Sequence, residues 1–103
     1  MRFTLRRKKT KKRGIFSLGY DDELLSEIYD KTNGYCRYCG KKLAWKNYGV
    51  LGARGAWEVD HGIPLSRGGT DYPRNLWPVC IECNREKGDM TTREYERYLE
   101  RIN

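Results

Sequence analysis

Apolar positions recur at helical spacing in two stretches of the chain. Leu24, Leu25, Ile28 and Tyr29 share one face of a helix predicted over 22–32, with Asp21 or Asp22 available as N-cap. Asn33-Gly34 ends it, because both residues tolerate the left-handed backbone that closes a helix. Towards the C-terminus, Tyr95, Tyr98, Leu99 and Ile102 repeat with the same period behind a capping box of Thr91 and Glu94. Between these helices the period shortens. Trp57-Glu58-Val59-Asp60 alternates like a short strand that stops at His61-Gly62, and Leu76-Trp77-Pro78-Val79 reads as a second. Pro78 fits such a strand only at an edge or a bend. A brief helix from about Ile81 to Lys87 is broken by Gly88. Pro64, Gly68, Gly69 and Pro73 mark 63–74 as a loop, and 41–56, rich in Lys, Gly and aromatics, reads as a loop or irregular hairpin. Ile15 and Phe16 are the first residues apolar enough to pack, and no internal repeat is visible. These elements predict a small α+β domain.

The charge distribution changes the picture at one end only. The net charge of +7 combines 21 basic with 14 acidic side chains, and eight of the basic ones lie within the first thirteen residues: Arg2, Arg6, Arg7, Lys8, Lys9, Lys11, Lys12 and Arg13. From residue 14 onward, 13 basic residues face 14 acidic ones, a net of −1. A block of like charges repels itself and has nothing to bury, so 1–13 is expected to be a disordered basic tail and 14–103 the folded domain. The chemistry that suits such a tail is phosphate contact with counterion release; a merely solubilising tail is the plainer alternative. No apolar run approaches the roughly 18 residues of a membrane span, and no apolar segment follows the basic start as in a secretory signal. A cytoplasmic location without membrane contact follows, in the host cytoplasm or nucleoid if the chain is phage-encoded.

In a reducing compartment four cysteines point to metal rather than disulfides. Cys36 and Cys39 flank two residues in the tight turn 35–40, and Cys80 and Cys83 repeat that spacing after 40 intervening residues. Two residues between cysteines let both sulfurs converge on one ion, and two such pairs complete a tetrahedral, closed, structural Zn²⁺ site. Disulfides or a redox pair are the alternatives.

Candidate chemistry sits beside the second cysteine pair. Asp60-His61 ends a strand where Gly62 permits a bend, Asn75 precedes the next strand, and Asn84 directly follows Cys83. A carboxylate and a carboxamide suit a hard cation such as Mg²⁺ or Mn²⁺, and an imidazole titrating near neutrality suits removal of a proton from water. Taken singly, each residue has a plainer role: a structural or exposed histidine, turn or cap asparagines, a solvated strand end.

Together they carry a resemblance. The stretch WEVDHGIPLSRGGTDYPRNLWPVCIECNREKGD resembles the HNH endonuclease motif: DH-x-x-P-x-x-x-GG, then NL, then C-x-x-C-N-x-x-K. With Cys36 and Cys39 upstream it is similar to the zinc-containing branch of that family over roughly residues 35–89. The resemblance implies a ββα-metal (His-Me finger) fold with a structural Cys₄ zinc site and flanking helices. It implies a metal-dependent DNA endonuclease that hydrolyses phosphodiester bonds and leaves 5′-phosphate and 3′-hydroxyl ends. His61 matches the general base, and Asp60 the acidic ligand of the catalytic cation. Asn75 matches the middle Asn that holds the loop. Asn84 matches the last motif position, His in many members and Asn in the HNN variant, where it is a metal ligand. Arg85 and Lys87, beside Asn84, are candidates for phosphate contacts, whereas Trp45, Tyr48 and Arg54 are expected to pack about the first cysteine pair rather than touch DNA. One such site cuts one strand, so a double-strand break requires a homodimer, two visits or a targeting partner protein. The competing class is a non-catalytic zinc module that binds nucleic acid through its tail; a protein-interaction knuckle would leave both tail and trio unused.

Overall fold

The computed structural model describes residues 19–103, so the basic tail lies outside the described residues. The first helix, α1 (Asp22–Asp30), starts where the Asp21 carboxylate accepts the Leu24 N–H at 2.8 Å. Its apolar face buries Leu25 and Ile28. The chain leaves α1 through Asn33 and Gly34, with φ of 56° and 83°. Glycine is required at 34 for a second reason: a Cβ there would sit 2.8 Å from the Tyr29 ring. The first cysteine turn follows, closed by Cys36 N–H to Lys41 O and by a bridge between Tyr35 and Lys42.

Two strands form the centre. β1 (Trp57–His61) and β2 (Leu76–Cys80) pair antiparallel, with Trp57 opposite Cys80 and His61 opposite Leu76. Each strand thus runs one residue beyond its sequence-predicted end, because the ladder supplies partners that the local pattern does not reveal. Pro78 sits in the middle of β2, opposite Val59. In an antiparallel strand a residue's N and C=O point to the same edge. The Pro78 carbonyl accepts the Arg37 N–H at 3.0 Å, on the edge away from β1, so the missing N–H costs the ladder nothing.

Helix α2 (Ile81–Lys87) follows β2 without a linker, and α3 (Thr92–Ile102) begins with the predicted capping box, Thr91 and Glu94 each satisfying the other's backbone N–H. The core gathers Leu25, Leu43, Trp57 and Val79 with the buried cysteines Cys36 and Cys80. Trp57 is fully buried and touches Tyr29, Trp45 and Tyr48 at ring centroid distances of 5.4, 5.9 and 4.9 Å. Trp45 and Tyr48 therefore pack in the core cluster against Trp57, while Arg54 stays exposed. Among the described residues no helix is long and apolar enough to cross a membrane.

Candidate active site

The two cysteine pairs meet. One ligand atom from each of Cys36, Cys39, Cys80 and Cys83 lies within 4.8 Å of the others, with the Cys39 and Cys80 sulfurs 3.8 Å apart across the two turns. That separation is far beyond the roughly 2.05 Å of a disulfide and suits convergence on one ion. Backbone N–H groups of Tyr38 and Cys39 point at the Cys36 sulfur, and that of Cys83 at the Cys80 sulfur, an arrangement suited to thiolates. As bare thiols, Cys80 and Cys83 are pushed upward by burial and by the neighbouring sulfurs, Cys83 to about 12. A divalent cation relieves that repulsion. The four sulfurs are clustered like a zinc site and fit such an ion.

The second cluster lies where β1 meets α2. Asp60, His61, Asn84 and Lys87 line one open cavity of about 210 Å³. His61 is positioned by the loop behind it. Gly62 N–H donates to Asn75 O at 2.8 Å, the Asn75 carboxamide oxygen accepts the Ile63 N–H at 2.9 Å, and its nitrogen donates to Ile63 O and Thr70 O at 3.0 and 2.8 Å. One side chain thereby ties both ends of the 62–74 loop. Gly69 completes the closure: its N–H donates to Pro64 O, and a Cβ at this position would fall 1.7 Å from Ile63 O.

Two residues about His61 were not singled out from the sequence. The ring Nε2 lies 2.7 Å from Asp71 Oδ1 and 3.3 Å from the Tyr20 hydroxyl, which itself donates to Asp71 at 3.1 Å. Hydrogen bonds from His61 and then Tyr20 hold the Asp71 carboxyl below the usual carboxylate range. In sequence Asp71 is an ordinary loop acid ten positions from His61, and Tyr20 an aromatic 41 positions away; neither carries a local signal.

Asp60 is only 4% exposed. Its Oδ1 pairs with Lys87 Nζ at 3.0 Å and its Oδ2 accepts from the Tyr38 hydroxyl at 3.2 Å. Burial pushes this carboxyl up, while Lys87 and Tyr38 favour its ionised form. Lys87 also donates to His61 O at 3.0 Å and is 1% exposed. The sequence expectation that Lys87 reaches out to a phosphate is therefore corrected: its ammonium is committed inside the protein, where it neutralises Asp60. Removing one partner of such a buried pair typically costs about 3–5 kcal/mol. Asn84 donates its carboxamide N–H to Glu58 Oε1 at 2.8 Å, and Arg85 reaches the other oxygen of Glu58 at 3.3 Å. Arg85 is thus on the surface and paired with Glu58.

The donor set fits a hard cation. A carboxylate has lone pairs beyond the two already engaged on Asp60, and the Asn84 carboxamide, whose nitrogen donates to Glu58, keeps an acceptor oxygen. A family model described as HNH endonuclease matches residues 36–90, more than half of the chain and the segment that carries both clusters. The CRISPR-associated endonuclease Cas9 of Corynebacterium diphtheriae is 33% identical over 60 residues; the match covers 57% of this chain and 5% of that protein. On a match that takes in both cysteine pairs, the His61 strand and the Asn84 helix, the chain belongs to the HNH endonuclease family.

Proposed function

We propose that this chain is a metal-dependent DNA endonuclease that hydrolyses one phosphodiester bond per visit, with His61 as general base. The observation that carries the reading is the shared cavity: a carboxylate, an imidazole and a carboxamide from β1 and α2 face one open space. Asp60 and Asn84 would hold a Mg²⁺ or Mn²⁺ ion, which supplies Lewis-acid stabilisation of charge on the phosphate and the departing 3′-oxygen. The four cysteines would hold Zn²⁺ as a structural ion.

The residues of the chain divide the remaining work. Asp71 accepts from Nε2 of His61, which fixes the ring tautomer and leaves the lone pair on Nδ1. Nδ1 takes the proton from the attacking water, and Asp71 faces the imidazolium that results. Tyr20 donates to Asp71 and keeps its carboxylate turned to the ring. Asn75 holds the loop so that the ring stays at the mouth of the cavity. Lys87 favours the ionised form of Asp60 against the effect of burial. Products with 5′-phosphate and 3′-hydroxyl ends are the expected outcome.

The test is direct. Supercoiled plasmid with Mg²⁺ or Mn²⁺ should give nicked circles with those ends, and a chelator should abolish the conversion. Intact plasmid under every divalent ion would remove the enzyme reading and leave a nucleic-acid-binding zinc module. The basic segment that includes Arg6, Arg7, Lys8, Lys9, Lys11, Lys12 and Arg13 is assigned sequence-independent phosphate contacts, with Arg85 as a further contact beside the site. Deleting residues 1–13 should weaken DNA binding and flatten its salt dependence. An unaltered salt slope would make the segment a solubiliser only.

A further inference from the structure

Arginines from three separate segments converge on one groove. Arg37 lies in the first cysteine turn, Arg74 before β2 and Arg93 in the first turn of α3, and together they line an open groove of about 490 Å³ on the face bearing Trp77 and Asn75. Among the described residues none of the three guanidinium groups has a carboxylate partner: the ion pairs there take up Lys41, His61, Arg67, Arg85 and Lys87. The floor is an indole. Arg37 stacks on Trp77 at 3.8 Å from the ring centroid, and Lys31 approaches the same ring at 4.3 Å. Lys31 is held in place by the carbonyls of Pro73 and Leu76. Its ammonium is pushed down by burial and then by the charge of Arg37, the two cations lying against one ring. The hydroxyl-bearing Thr91 and Thr92 complete the wall.

We infer that this groove is the track for the phosphodiester backbone of the DNA strand on one side of the bond to be cut, gripped by Arg37, Arg74 and Arg93. Guanidinium forks match phosphate oxygens in pairs, and a cluster without local carboxylates favours an external anion. The groove opens beside the site, since Gly62, the neighbour of His61, lines it. Thr92 links the two physically: its hydroxyl meets the Tyr38 hydroxyl at 2.8 Å, and Tyr38 donates to Asp60. Beside Asn84 the cations are already engaged, Lys87 buried on Asp60 and Arg85 paired at the surface with Glu58, whereas the groove arginines have no such partner among the described residues. The choice of DNA as the anion rests on the endonuclease reading above.

The experiment compares two triple variants of the full chain that lose the same charge. Arg37→Gln/Arg74→Gln/Arg93→Gln removes the groove cations; Lys46→Gln/Arg97→Gln/Arg101→Gln removes exposed cations elsewhere. Duplex DNA binding is titrated against salt, and zinc content and thermal unfolding confirm that both fold. The slope of log affinity against log salt should fall by about 0.9 for each phosphate that the groove variant no longer neutralises, close to 2.7 in total, and by far less in the control. Plasmid nicking by the groove variant should show a raised KM with kcat largely kept. Equal slopes for the two variants overturn the groove assignment even if the wild type nicks plasmid. A wild type that never nicks, with slopes that still differ, removes the endonuclease reading and leaves the groove as a DNA-binding surface.

Discussion

His61→Ala is expected to slow plasmid nicking about 10²–10⁴-fold, the usual contribution of a positioned general base. Zinc content, thermal stability and DNA affinity should be unchanged. The ring sits at the end of β1, part-exposed, and among the described residues its side-chain bonds run to Asp71 and Tyr20, so its removal opens no core cavity. The backbone carbonyl of His61, which Lys87 uses, is retained in alanine. The buried Asp60–Lys87 pair is likewise untouched, so any cation held by Asp60 and Asn84 should bind as before. Single-turnover nicking under saturating protein separates the chemical step from binding. A variant that nicks at the wild-type rate would remove His61 from the mechanism. One that loses rate together with DNA affinity would make it a binding residue instead.

Cys80→Ser is expected to abolish cooperative folding. Cys80 occupies three roles at once: it ends β2 opposite Trp57, caps α2 by accepting the Cys83 N–H, and places a sulfur in the four-cysteine cluster. Structural Zn²⁺ contributes apparent binding free energies of about 10–16 kcal/mol in small zinc domains. Whole domains are stable by only about 5–15 kcal/mol, so loss of one of four ligands is enough to unfold a chain of this size. Calorimetry with and without a zinc chelator measures this. The wild type should lose its transition on chelation, and Cys80→Ser should show none at any zinc concentration. A sharp unfolding transition at the wild-type temperature in Cys80→Ser would mean that the aromatic core about Trp57 suffices and the ion is dispensable.

Loss of the staple should also end catalysis, for a geometric reason. Asn84 is fixed by the helix that Cys80 caps, and His61 by the strand paired with the one that Cys80 ends. The sulfur cluster therefore sets the distance between the two halves of the proposed site without touching any reacting group.

What the sequence settles by itself is whatever depends on neighbours a few residues apart. Helical spacing, the Thr91–Glu94 box, the Asn33-Gly34 stop and the two cysteine turns are local patterns, and the structure follows them within a residue or two. The paired spacing of Cys36–Cys39 with Cys80–Cys83 even carries long-range information, because two half-sites for a tetrahedral ion have little use apart. The side chains that meet across the fold were not legible. Asp71 and Tyr20 reach His61, Lys87 turns inward to Asp60 instead of outward, and Arg37, Arg74 and Arg93 come into one groove from three distant segments. Their pairing is decided by how α2 and α3 dock on the β1–β2 ribbon. A charged side chain can satisfy itself in water or against any opposite charge, and only the packed arrangement, through burial and distance, selects among those partners.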